Sequence, residues 1–375
     1  MQLVCLSHLR WNFVYQRPQH LLSRFVPDYD VFFIEEFIHS DGPTDFYDTE
    51  VSKEGVTILV PRLSHHLSGD VNDRLQVLID RMLSDFGISD FVAWYYTPMA
   101  LPFTRQLTPA VTVFDAMDEL SAFKFAPSEL KALETEMMER ADVVFTGGQS
   151  LYEAKKHRHT NIHAFPSSID KAHFAQARTP GDDPADQAAI PHPRLGFYGV
   201  VDERFDLELL QGMATQRPDW QFVIIGPVVK IDPETLPKGS NIHYLGPKSY
   251  PELPLYLRGW DIALVAFALN ESTKFISPTK TPEYLAGGKP VISTPIRDVV
   301  YPYGKEGLVA ISQNADEAIQ DAEQLLTMDK TLWLERVDTF LETNSWEDTW
   351  AGMNALITKA IEEKSTVIAC MTTSL

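Results

Sequence analysis

The chain has 375 residues, 44% of them hydrophobic and 11% aromatic, with a formal net charge of −20. That length predicts about two domains, each with material for a packed core. The acidic balance argues against a nucleic-acid binder, which needs a basic face, and against bulk attraction to an anionic membrane. An anionic ligand must then be held by a few local cations and backbone amides. No run of eighteen apolar residues occurs, so no membrane-spanning helix is expected. The start, MQLVCLSHLRW, has neither a basic region nor a cleavage site, so no leader is read there. Cys5 and Cys370 stand far apart with no CxxC, which suits a reducing, cytoplasmic setting rather than a disulfide framework or a zinc site.

In the first half, QLVCLS, DVFFIEE, VTILVP, FVAWYYTP, AVTVFDAMD, VVFTGG and NIHAFP read as strands. Most are apolar on both faces, as in a parallel sheet covered on each side. Amphipathic stretches, PQHLLSRF, NDRLQVLIDRML and SELKALETEMMER, lie between them. The alternation predicts a doubly wound α/β domain over residues 1–174. Residues 175–193, AQARTPGDDPADQAAIPHP, carry no apolar period and read as a linker or a surface excursion.

The pattern then restarts. RLGFYGVV, WQFVIIGP, NIHYLG, DIALVAFA, PVIST and LVAIS are strand candidates of a second α/β domain over 194–345. A final helix, 346–363, has Ser345 as N-cap, and the tail 364–375 has no pairing signal. Two such domains in tandem place a site in the cleft between them, at the carboxyl ends of the strands.

Neither first strand is followed by GxGxxG, since SHLRWN and GVVDER fill those places, so a dinucleotide enzyme of that type is not indicated. SPTKTPEYLAGGKPVIST (277–294) carries the strongest signal. Ser277 and Thr281 are both N-cap candidates, each followed by proline. A helix start favours an anion, Lys280 adds a point charge, and Glu283 one turn on can accept two hydroxyl hydrogen bonds, as a ribose diol would offer. The plain alternative is a capped helix with a local Lys–Glu pair. Its place between two strands of a doubly wound domain tips the reading toward a binding site.

This stretch resembles the nucleotide-sugar signature of GT-B fold glycosyltransferases, in which two Rossmann-like domains face a central cleft. ADVVFTGGQSLYEAKK, FPSSIDKAHF, LGFYGVVDERFDLELL, FVIIGPV and SWEDTWAGMNALI are similar to further parts of that fold, so the resemblance covers nearly the whole chain. SHLRWNFVYQRPQHLLSR and VFDAMDEL resemble bacterial enzymes of cell-wall and exopolysaccharide synthesis, the teichuronic-acid-type transferases among them. The resemblance implies a metal-independent hexosyltransferase with no cofactor. Its donor would be a nucleotide-sugar, with uridine the expected base. Its acceptor would be a saccharide or a lipid-linked saccharide, and the protein cytoplasmic, with peripheral contact at the inner membrane face. It also implies roles. Lys280, Ser277 and Thr279 would contact the donor diphosphate and Glu283 the ribose. Arg204 would be a second phosphate cation, its plain alternative being an ion pair with Asp202 or Glu203. Gly199 would let backbone approach the phosphate, and Gly226 and Tyr244 would border the base, Tyr244 being equally readable as core. Many retaining members carry a second glutamate seven residues before the ribose-binding one; Phe275 stands there, with Glu271 out of register.

An acceptor hydroxyl needs a base as it attacks. Asp118 matches the position used as base in related transferases, with Asp115 second. The alternative is a strand-to-helix turn. His8, Arg10, Trp11, Gln16 and Arg17, in the first strand-to-helix loop, are read as contacts for a sugar or a lipid phosphate, against a plain reading in which the aromatics pack the loop and the arginines pair with local acids. His65–His66 and His157–His159 lack metal-ligand spacing and no DxD is present, so no metal is expected. Two rivals remain at this stage: a nucleotide-sugar 2-epimerase, which would need no acceptor, and a non-catalytic sugar-nucleotide-binding protein, which would bind without turnover.

Overall fold

The computed structural model describes residues 1–372, with side chains described through residue 366. The first sheet has nine strands: β1 (Gln2–Leu6), β2 (Asp30–Ile34), β3 (Ile38–Ser40), β4 (Phe46–Val51), β5 (Thr57–Ser64), β6 (Phe91–Tyr95), β7 (Val111–Ala116), β8 (Val143–Thr146) and β9 (Ile162–Ala164). Their order is β3-β5-β2-β1-β6-β7-β8-β9, parallel throughout, with β4 pairing antiparallel to β5. Strands β1, β6 and β8 bury nearly every residue, because helices cover both faces. One face is lined by the helices Val71–Asp85 and Leu130–Arg140 and the other by Arg17–Phe25. The β3–β4 excursion was not legible in the sequence: β4 is largely exposed and carries no apolar alternation.

The second sheet holds β10 (Arg194–Tyr198), β11 (Gln221–Ile225), β12 (Ile242–Gly246), β13 (Ile262–Val265), β14 (Val291–Ser293) and β15 (Val309–Ile311). Its order is β12-β11-β10-β13-β14-β15, all parallel. Chain order reverses beside β10 here and beside β1 in the first sheet. At such switch points helices leave opposite faces and open a crevice at the strand ends.

The segment read as a linker is docked rather than solvated. Ala177 and Ile190 belong to the second domain's core. Gln187 is fully buried, accepts from the Trp260 indole at 2.9 Å and donates to the Tyr256 carbonyl at 3.0 Å. Even Ile169 and Phe174, ahead of it, pack into that core. A Pro- and Asp-rich composition hides this, since the anchoring is done by one amide and a few small apolar side chains.

The chain ends in a helix, Trp346–Thr372, whose amide at Asp348 bonds the Ser345 hydroxyl at 3.0 Å. It continues through most of the tail; residues 373–375 lie outside the described residues. Trp346, Met353, Ile357 and Ala360 enter the first domain's core beside Leu21, Phe25 and Trp94. The helix is part of that domain. Ile357→Ala removes a fully buried side chain and should cost about 2–5 kcal/mol. In denaturant titrations it should lower the midpoint of the first domain's transition and leave that of the second in place.

Candidate functional site

The second domain's half of the cleft is built at the end of β10. Gly199 has φ +143 and Gly226, after β11, has φ +140. A Cβ on Gly226 would stand 1.8 Å from the Gly199 carbonyl oxygen, and one on Gly199 would stand 2.2 Å from Cε of Lys280. Gly226 thus makes room for the turn and Gly199 makes room for the lysine. Instead of opening the backbone to a ligand directly, Gly199 clears the path of the Lys280 side chain. Its ammonium lies 5.7 Å from the Phe197 ring centroid and 5.6 Å from that of Phe267. Among the described residues it has neither a hydrogen bond nor an ion pair. Burial drives its pKa down to about 8, against the pull of Glu283.

Glu283 is buried one turn along the same helix, Lys280–Ala286, and accepts from the Tyr198 hydroxyl at 2.9 Å. Burial raises its carboxyl to about 7, partly offset by Lys280 and Tyr198. The helix start differs from the sequence reading. Thr279 is the flanking residue, has helical backbone angles and gives no side-chain cap. The Ser277 carbonyl accepts from the Ser167 hydroxyl of the first domain at 2.6 Å, and the Thr281 hydroxyl is buried without a partner. The Thr281 and Glu283 amides bond the Pro278 and Thr279 carbonyls, and Pro282 has no N–H. This helix start offers the Lys280 charge and the amides of Thr279 and Lys280, unpaired among the described residues, rather than a side-chain cap.

Arg204 is paired with Asp202, Nη2 to Oδ2 at 2.7 Å and Nε to Oδ1 at 3.0 Å, and its plane lies 5.4 Å from the Phe123 ring of the first domain. Its plain alternative is thus present, although the cation still borders the cleft. Tyr244 is not core: it is 37% exposed, with its hydroxyl on the Pro237 carbonyl at 3.0 Å. Glu271 is exposed and Phe275 packs against the first domain's core, so neither places a second carboxylate beside Glu283.

Across the cleft, the end of β7 sorts the acidic residues. Asp115 is fully buried in a two-point pair with Arg17, at 2.9 and 3.0 Å, and Arg17 also donates to the Phe165 carbonyl at 2.8 Å. Both are corrected as site residues: neither can reach a ligand. Glu119 is held by Lys155 at 2.6 Å. Asp118 alone of the three has no hydrogen bond or ion pair among the described residues, and it lines the cleft cavity. Burial lifts its pKa to about 6, opposed by Arg204 and Arg17. Trp11 is also corrected: it is buried against Phe33, with centroids 5.1 Å apart, and follows the packing alternative. Gln16 closes a capping box with Gln19 at the helix Arg17–Phe25. Arg10 pairs with Glu35 at 2.8 Å, while His8 lines the cavity with Nδ1 buried and unpartnered. Burial and Lys230 hold His8 down to about 4, so it is neutral at pH 7.

A further bond joins the two domains. The Asp298 carboxylate, after β14, accepts from the Ser150 amide at 3.0 Å, at the start of the helix Gln149–Lys155 of the first domain. Sequence reading missed Asp298, since nothing local marks a carboxylate that serves a helix in another domain. Among the described residues no three His, Cys, Asp or Glu side chains gather at metal-binding spacing, and no helix is long and apolar enough to cross a membrane.

The two facing sheets, the cleft at their carboxyl edges and the returning last helix define the GT-B fold of glycosyltransferases. Solved structures share it. Sucrose-phosphate synthase from Thermosynechococcus elongatus superposes with a TM-score of 0.70 at 14% identity, over 97% of this chain and 100% of that one. The E. coli trehalose-6-phosphate structure bound with UDP-2-fluoro glucose gives 0.70 at 12%, over 96% and 99%. Anabaena HepE in complex with UDP and glucose gives 0.65 at 13%, again over 96% and 99%. Residues 192–328, within the second domain, match the family model described as glycosyl transferases group 1. The putative teichuronic acid biosynthesis glycosyltransferase TuaH of Bacillus subtilis (strain 168) is 25% identical over 182 residues. That match spans 46% of this chain and 45% of TuaH, under half the length of either.

Removing one member of the Arg17–Asp115 pair strands a buried charge. Asp115→Ala should cost about 3–5 kcal/mol of first-domain stability, whereas Asp118→Asn, with no partner to lose, should shift the unfolding midpoint little.

Proposed function

We propose that the protein is a glycosyltransferase that moves a sugar from a nucleotide-diphospho-sugar, with uridine as base, to a saccharide or lipid-linked saccharide in cell-wall or exopolysaccharide synthesis. One observation carries the reading: a lysine without an anionic partner, in a space that Gly199 keeps clear, one helical turn from a buried glutamate. A diphosphate supplies the missing anion and a ribose the hydroxyls that Glu283 can accept. The group 1 match over these residues, the UDP bound in HepE and the teichuronic acid role in TuaH's name support the donor and pathway class.

In the reaction an acceptor hydroxyl attacks the anomeric carbon while the bond to the diphosphate oxygen breaks. The hydroxyl proton passes to Asp118, and the electron pair leaves with the nucleoside diphosphate. The charge that develops on the leaving oxygen is met by Lys280, with Arg204 nearby. Preorganised cations of this kind stabilise the transition state more than the ground state. An Asp118 pKa near 6 leaves the base ionised at pH 7 yet more basic than an ordinary aspartate.

Two measurements test this. Glu283→Ala should weaken UDP binding roughly ten- to a hundredfold by calorimetry, the scale of a lost hydrogen bond to a charged group. Lys280→Ala should cut turnover on the order of 10²–10³-fold, and Asp118→Asn should do so with UDP affinity kept. Wild-type rates in all three would refute the site.

The pH dependence has a definite sign. The base must be deprotonated, so kcat/KM should fall as pH drops through about 6. The phosphate cation must be protonated, so kcat/KM should fall again as pH rises through about 8. Asp118→Asn should remove the contribution near 6, leave the loss near 7 where Glu283 takes up a proton, and keep the alkaline limb.

A further inference from the structure

Beside Asp118 a cavity of about 740 Å³ runs from the cleft into the first domain. Its inner wall is made by Leu6 and Ile34 at the ends of β1 and β2, Leu75 of the helix Val71–Asp85, and Ala100 and Phe103 of the turn after β6. Ser7, Thr97 and Glu35 beside this wall each already accept a hydrogen bond. The Ser7 hydroxyl accepts from the Leu9 amide at 2.9 Å and the Thr97 hydroxyl from the Met99 amide at 3.2 Å. Glu35 accepts from Arg10 and from the Trp11 amide, both at 2.8 Å. Nδ1 of His8 is buried without a partner among the described residues, and Glu36, Asn72, Lys124 and Lys230 also line the cavity. Against Leu6, Ile34, Leu75, Ala100 and Phe103 a sugar hydroxyl would lose its hydration without gaining a partner, a cost that disfavours a sugar at this inner wall. The apolar character continues outward. Phe13, Val71 and Phe125 line the cavity and are 54%, 36% and 80% exposed. Asp118 lies where the apolar space meets the cleft.

We propose that this cavity holds the hydrocarbon chain of an amphiphilic acceptor, whose hydroxyl head stands at Asp118. The inference rests on the glycosyltransferase reading for the role of Asp118, but the chain site itself does not depend on the donor. The size suits a chain rather than a whole macromolecule, being within the range of small-ligand pockets. The exposed rim lets a longer chain leave the cavity over an apolar surface instead of ending against water.

The probes are glucose and n-alkyl glucosides from ethyl to decyl, kept below their micelle concentrations and titrated by calorimetry into the full-length protein, with UDP affinity measured on the same samples. Affinity should tighten about fourfold for each methylene buried and level off once the cavity is full, with glucose far weaker than any of them. Ala100→Trp should bring the plateau forward by several carbons and leave UDP binding as in wild type. Because Ala100 is itself buried and Trp there can disturb folding, Met99→Trp, at the half-buried edge of the wall, serves as the second variant. An affinity independent of chain length, glucose binding as well as decyl glucoside, or an unchanged plateau in both Trp variants overturns the proposal. Loss of UDP binding in the wild type, with the chain-length series intact, would instead sink the donor assignment and leave the chain site standing.

Discussion

The first domain's half of the cleft hangs on one buried ion pair. Arg17 and Asp115 meet with almost no access to water, and Arg17 reaches on to the Phe165 carbonyl at the start of the crossing to the second domain. A buried charge pair is a costly way to gain stability, because both ions give up hydration. What it provides is position. It ties the first strand-to-helix loop, the end of β7 and the exit from β9 to one point. Asp118 follows three residues after the anchored Asp115. The anchor takes Arg17 into a pair with Asp115, so Arg17 acts on Asp118 only at a distance, and less strongly than Arg204 does.

The second half obeys a steric constraint of the same kind. Gly226 yields to Gly199 and Gly199 to Lys280, a chain of three residues in which each clears space for the next. The lysine ends over two aromatic rings rather than against an acid. Ring faces favour a cation without satisfying its hydrogen bonds. The ammonium is held in place with its donors left over, and burial makes it easier to discharge.

Much of the fold was legible because strands covered on both faces must be apolar on both faces, and such runs stand out in any chain. The β3–β4 pairing was not, since exposed strands are free to be polar. That Lys280 and Glu283 lie one turn apart on a single helix was legible from their spacing. Arg17 and Asp115 were misassigned for one reason. An arginine or a carboxylate suits a ligand and a buried pair equally well, and only the partner, 98 residues away in the Arg17–Asp115 case, decides. Gln187 and Asp298 show the converse: single polar residues in unremarkable sequence that dock a linker and fasten one domain to the other.

The returning last helix has a consequence for how the protein is made. The second domain's core is complete once Leu341 has been added, since it draws on residues 169 to 341. The first domain's core still lacks Trp346, Met353, Ile357 and Ala360 at that moment. Domains usually mature from the amino terminus as they emerge from the ribosome. Here the order is inverted: the domain synthesised second can close first, while the one begun at Met1 waits with an open apolar face for the final helix.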